Sequence, residues 1–107
     1  LVTEDFPFDE RTLALRVLGR IFACLDRERP EWITTKCDAE RAIELRERHS
    51  EIEPAWHWNK KYWNQVNLTG QLSDDDIKAL IRHSYNEVVK KLKKQERTDH
   101  PEITEVM

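Results

Sequence analysis

Thr12 to Leu25 constrains this chain more than any other stretch. Aliphatic residues alternate with others from Thr12 to Leu18, Gly19-Arg20 offers a tight turn, and the pattern resumes from Arg20 to Leu25. A period of two cannot line one face of a helix, so the spacing predicts a β-hairpin. Asp26 to Glu31 is a charged loop containing Pro30, and Trp32 to Cys37 reads as a third strand, completing a meander. With Gly19 and Arg20 in the turn, Leu18 opposes Ile21, Val17 opposes Phe22 and Leu15 opposes Cys24. That register gathers Leu13, Leu15, Val17, Phe22 and Cys24 on the core face. The other face then carries Leu18, Ile21, Ala23, Leu25 and Trp32, more apolar than a solvated surface and suited to a contact. A slip of one residue exchanges the two faces. Across the next loop Cys24 opposes Ile33 and Arg20 opposes Cys37, so the cysteines share a face as small buried filler without pairing.

Two helices follow. Asp38 is a suitable N-cap for Ala39 to His49, with Ala42, Ile43 and Leu45 pointing inward. Glu40, Glu44, Glu47 and Glu51 recur at helical spacing, but Arg41, Arg46 and Arg48 are interleaved, which describes a solvated face. A hard cation needs several converging oxygens, and a single helix face does not supply them. Ser73 followed by Asp74, Asp75 and Asp76 caps a second helix running to about Lys94, with Ile77, Leu80, Ile81, Ser84, Val88 and Leu92 as its stripe and Tyr85 and Val89 alongside. Residues 1 to 11 read as an extended lead-in anchored to the core by Phe6 and Phe8 around Pro7. Thr98 to Met107 lacks a pattern, so the domain is expected over residues 1 to 95 and a flexible tail over 96 to 107.

A length of 107 residues admits one domain and excludes two independent cores. The net charge of −3 argues against bulk coating of nucleic acid, so any such binding must be local. No apolar run approaches a membrane span, and Leu1 to Phe8 has neither a basic nor an apolar leader region. Cys24 and Cys37 are too few for a disulfide framework and fall in no metal-ligand spacing, which fits a reducing cytoplasm. Neither a cofactor nor a metal is expected.

The average charge hides one segment. Residues 54 to 72 contain no acid, two lysines, His57, five amides and three of the four tryptophans. Lys61 to Leu68 reads as a strand, Thr69-Gly70 as its turn, and Pro54 to Trp58 as a short extended piece pairing with it through a bend at Asn59-Lys60. From Lys78 to Arg97, seven bases stand against Glu87 and Glu96.

The string Pro54-Ala55-Trp56-His57-Trp58-Asn59-Lys60-Lys61-Tyr62-Trp63-Asn64 resembles the MmcQ/YjbR family. Glu4-Asp5-Phe6-Pro7-Phe8, Gly19-Arg20-Ile21-Phe22-Ala23, Lys36-Cys37-Asp38, Gly70 and His83-Ser84-Tyr85 agree with it, in the family's order, over about residues 3 to 95. The resemblance implies an α+β two-layer sandwich of the CyaY-like superfamily, an antiparallel sheet of about five strands with helices on one face. It also implies a helix before the Phe-Pro-Phe segment, whose place this chain lacks. Trp56, Trp58 and Tyr62 stand where Tyr, Met and His are commoner. The family is described as DNA-binding largely by inference from fold.

Three functions compete. A DNA- or RNA-binding module would stack bases on Trp56 and Trp58, read edges with His57 and Asn59, and contact phosphate through Lys60, Lys61, Lys90, Lys91, Lys93 and Lys94. The bland counterpart makes Trp63 and one of the other two tryptophans core residues, with His57 and Asn59 bracing a bend. A protein-interaction or homo-oligomeric assembly module would use the apolar sheet face. Catalysis is disfavoured, because His57 has no nucleophile, glycine loop, second histidine or carboxylate beside it.

Overall fold

The computed structural model describes residues 2–8, 10–55, 58–101 and 103. The hairpin forms with its turn one residue earlier than the spacing suggests. Its arms are β2 (Thr12–Val17) and β3 (Arg20–Asp26), and Val17 pairs with Arg20 across Leu18-Gly19. Both turn residues lie at positive φ, 47° and 79°, as a two-residue connection matching the twist of its strands requires. Leu18 accepts that conformation because its side chain packs against the core. The register then shifts: Arg16 pairs with Ile21 and Leu15 with Ala23, leaving Phe22 as an extra, bulged residue.

This shift corrects the expected faces. Leu13, Leu15, Val17 and Phe22 do turn toward the core. Cys24, however, stands in one row with Ala14, Thr34 and Gln65, whereas Leu25 aligns with Leu13, Ile33 and Val66. Ala23 is fully buried. The expected outer patch of Leu18, Ile21, Ala23, Leu25 and Trp32 is therefore broken up, and Cys24 faces Thr34 rather than Ile33. The β3 ladder ends at Ala23 and Thr35, so Arg20 does not oppose Cys37.

The remaining strands are β1 (Val2–Asp5), β4 (Arg29–Lys36), β5 (Ile52–Pro54) and β6 (Trp63–Asn67). The six run antiparallel in the order β1-β2-β3-β4-β6-β5. The sixth is β1, in the stretch expected to be a lead-in. Its side chains are exposed, and neither Phe6 nor Phe8 reaches the core, being 45% and 64% exposed. Phe6 lies under the Arg27 guanidinium and Phe8 meets Trp58 edge-on.

One face of the sheet carries α1 (Ala39–Arg48) and α2 (Asp74–Val89). The caps are as the sequence indicates: Asp38 accepts from the Arg41 N–H, and Ser73 with Asp76 forms a capping box. Ala42 is buried and Leu45 packs on the core, but Ile43 is 52% exposed, since α1 lies along the sheet edge beside β5 and rests on a narrower stripe than expected. Leu80, Ser84, Val88 and Val89 seat α2 on β3 and β4. Ser84 sits where the β3–β4 ladder ends, just beyond the Ala23–Thr35 pair. Its hydroxyl donates to the Phe22 carbonyl and accepts the Lys36 N–H at 2.7 Å, replacing the missing rung.

The second helix ends at Val89, short of the expected Lys94. A continuous helix would stack Lys90, Lys91, Lys93 and Lys94 at three- and four-residue spacings, where like charges repel. The chain instead turns Leu92 into the core and restarts as α3 (Lys94–Asp99). Arg97 donates to the Val89 carbonyl at 2.8 Å, closing the broken end, and Glu96 binds Arg20 at 2.6 Å. Residues 96 to 99, assigned to an unpatterned tail on sequence, thus belong to a helix, and Ile103 is buried in the core cluster.

Candidate functional site

The sheet face opposite the helices carries a groove of about 500 Å³. Its floor is the row Cys24, Thr34 and Gln65, and its walls include Trp32, Trp58 and Phe8. Gln65 is held by a hydrogen bond to the Glu53 carboxylate. At one end Arg11 forks onto Asp26 at 2.7 and 2.8 Å and reaches Glu28 at 3.0 Å, with Arg29 beside it. The Arg11 guanidinium holds the Asp26 carboxyl below the usual carboxylate range.

Trp58, the first residue of the 58–63 turn, lines the groove. Asn59 builds the turn: the Asn59 side chain accepts the Lys61 N–H at 3.0 Å, and its carbonyl accepts from Tyr62 and Trp63 at 3.1 and 3.0 Å. Asn59 is therefore a brace for the bend, and its side-chain oxygen is committed. The bend folds Trp58 onto Trp63, ring centroids 4.5 Å apart, and leaves both half-buried. Neither indole is a core residue; they are a stacked pair on the open face. Trp56 and His57 lie outside the described residues.

The lysines separate into two groups. Lys61 and Lys91 flank the half-buried Tyr62 ring, their ammonium nitrogens 5.5 and 5.3 Å from its centroid. Lys36, opposite Trp63 in the ladder, joins them; burial and then the neighbouring Lys91 charge push its pKa down. Lys60 is exposed on the same turn. Sequence spacing alone did not single out Lys36, which meets Lys91 only through the fold. Of the other expected phosphate ligands, Lys90 pairs its ammonium with Glu87 at 3.0 Å, while Lys93 and Lys94 stand at the N-terminus of α3, where the Lys93 backbone N–H donates to Glu96 at 3.0 Å.

Both thiols are buried, and burial pushes each up to about 12. On the helix side, Cys37, Asp38 and His83 form a compact cluster. The acid ridge Glu40, Glu44 and Glu47 makes no comparable group among the described residues. No helix among the described residues is long and apolar enough to cross a membrane.

Known proteins share this architecture. A Deinococcus radiodurans protein, DR2400, with a domain of the DUF419 family, superposes with a TM-score of 0.90 at 36% identity, over 99% of this chain and 81% of that one. A Pseudomonas syringae protein superposes with a TM-score of 0.64 at 26% identity, over 78% of this chain and 83% of its own. In sequence, the chain is 32% identical over 90 residues to the uncharacterized protein YjbR of Escherichia coli K12, covering 83% of this chain and 76% of that protein. It is 28% identical over 92 residues to the uncharacterized protein YbdF of Escherichia coli O157:H7, covering 85% and 75%. The YjbR family model matches residues 1–87, and with these relatives it shows that the chain belongs to the YjbR family.

Proposed function

We propose that this chain is a small nucleic-acid-binding domain that acts by binding rather than catalysis and takes a single-stranded segment across the open sheet face. The observation that carries this reading is a stacked Trp58–Trp63 pair, of which Trp58 lines the open groove, on the same turn as a Tyr62 ring that has the Lys61 and Lys91 ammonium groups beside it. Bases offer π-faces to aromatic walls, and the phosphates that link them need cations at backbone spacing. A concave groove of this volume accepts an unstacked base, whereas a duplex presents its bases edge-on inside a wide cylinder. Lys36, Lys60, Lys61 and Lys91 form the phosphate-contacting set, so binding is local and survives a net charge of −3. Two reduced thiols accord with a cytoplasmic setting.

Fluorescence polarisation of labelled single-stranded DNA, single-stranded RNA and duplex DNA at low salt tests the reading. Single strands bind, and Lys60→Glu with Lys61→Glu weakens binding at least about tenfold while circular dichroism stays unchanged, since exposed charges contribute little to stability. Absence of binding to every probe at tens of micromolar refutes it.

A second reading has one observation in its favour. Among the described residues β1 is an edge strand of the sheet, and beside it stand Val2, 55% exposed, and the exposed Phe6 and Phe8. Such an edge suits pairing with another strand, in an assembly or with a protein partner. A molar mass by light scattering that stays monomeric at high concentration removes self-assembly.

A further inference from the structure

We propose that Cys37, Asp38 and His83 bind a divalent transition metal of zinc type, on the helix side of the sheet and apart from the aromatic groove. The three donor atoms, one sulfur, one oxygen and one nitrogen, all lie within 4.8 Å of one another. In a tetrahedral zinc site, bonds of about 2.0–2.3 Å set the donors roughly 3.3–3.8 Å apart. His83 Nε2 and Asp38 Oδ2 already stand at 3.7 Å, too long for a hydrogen bond and right for two ligands of one ion.

A second observation points the same way. Among the described residues, His83 Nε2 is buried with no hydrogen-bond partner, and so is Oδ1 of Asn64. Asn64 is only 2% exposed, and it lines the same small cavity as Cys37 and His83. Buried polar atoms left unpaired are costly, and an ion on the His83 nitrogen would satisfy that one.

The scaffold holds the ligands in place. The Cys37 N–H donates to the Tyr62 carbonyl at 2.7 Å. Asp38 spends Oδ1 on capping α1 at Arg41 N–H, which leaves Oδ2 toward His83. His83 precedes Ser84, the residue that fastens α2 to the sheet. The Asp38 side chain is 48% exposed, which gives the ion a way in.

A thiol, carboxylate and imidazole in contact also describe a nucleophilic triad, but Cys37 is 3% exposed and its thiol is pushed up to about 12, so without an ion it stays protonated and inaccessible. His83 is held below its ordinary value by burial, and so offers a neutral ring nitrogen. The mixed S, N, O set selects zinc or cobalt over magnesium or calcium. Binding transfers the thiol proton to solvent and forms the metal–sulfur bond with no change of oxidation state.

Cobalt(II), the spectroscopic substitute for zinc, tests the site. With the whole chain, one cobalt per protein produces a thiolate-to-cobalt charge-transfer band and the intense visible bands of tetrahedral cobalt, and zinc abolishes both by displacement. Cys37→Ser and His83→Gln each lose the charge-transfer band, Asp38→Asn weakens it while keeping the helix cap, and Cys24→Ser retains it. X-ray absorption of the zinc-loaded natural sequence, which needs no variant to fold, shows one sulfur neighbour. The proposal is overturned by the lack of a cobalt–thiolate band, by a band that survives Cys37→Ser, or by a zinc shell without sulfur.

Discussion

Replacing Ser84 by alanine isolates the contact that joins the two layers. Ser84 is fully buried, and its hydroxyl links the Phe22 carbonyl of β3 to the Lys36 N–H of β4 just past the end of their ladder. Alanine keeps the helix and most of the volume but leaves two main-chain groups without partners. An unsatisfied buried group costs about 1–3 kcal/mol. With the Lys36 N–H only partly buried, the pair sums to about 2–4 kcal/mol. That is a large share of the roughly 5–15 kcal/mol that holds a domain together. Urea unfolding followed by tryptophan fluorescence reads it as a midpoint lowered by about 1–2 M at unchanged slope. Thr98→Ala, removing an exposed hydroxyl bonded to the Lys94 carbonyl, serves as control and moves stability by less than about 0.5 kcal/mol. If Ser84→Ala behaves like the control, the serine does not replace a rung between β3 and β4 and this account of the sheet end fails.

Gly70→Ala sets a new Cβ 2.2 Å from Glu51 Cγ, so Glu51 must swing off the Gln71 N–H. Thermal unfolding should show a loss of about 1–3 kcal/mol, and Glu51→Ala with Gly70→Ala should lose less than the sum of the two. Ile43→Lys should change stability by less than about 0.5 kcal/mol despite removing a large aliphatic residue, whereas Ala42→Leu, at a fully buried position, should cost about 1–3 kcal/mol. Acid should destabilise the fold in two stages. His83 has a lowered pKa, so the unfolded chain takes up its proton first, and stability falls as pH drops below about 6.5 toward the folded value. Asp26, Glu51 and Glu96 are also held low, chiefly by Arg11, by backbone N–H groups and by Arg20 respectively. Their contribution is present above the unfolded carboxylate range and disappears as pH falls through the folded values, which unfolding midpoints across the acid range will read.

The elements defined by strong local chemistry were legible in the sequence. The hairpin, the Asp38 and Ser73 caps, and the β6 strand all carry signals within a few residues. What escaped depends on distant partners. The Phe22 bulge is held by Ser84, sixty-two residues away, and nothing in the alternation of Thr12 to Leu25 announces it. That one extra residue sent Cys24 to the open face and Ala23 inward. The end of α2 at Val89 is fixed by Arg97 and by the burial of Leu92, which a helical stripe alone cannot register. At the candidate site, composition singled out Trp58, Lys60 and Lys61. Lys91 stood among the sequence candidates as well; its place beside Tyr62, the addition of Lys36, and the meeting of Cys37 with His83 needed the fold.

Salt dependence of single-strand binding, measured for the natural sequence, Trp58→Ala and the Lys61→Glu, Lys91→Glu pair, tests most directly whether the aromatic groove and its basic rim serve one ligand. Four phosphate contacts predict a slope of log K against log salt near about −2.8, shallower by about 1.4 when two lysines are lost. Trp58→Ala should weaken binding by about 1–3 kcal/mol while leaving the slope unchanged. Binding that is indifferent to Trp58, or a slope that the two charge reversals do not alter, would contradict the account.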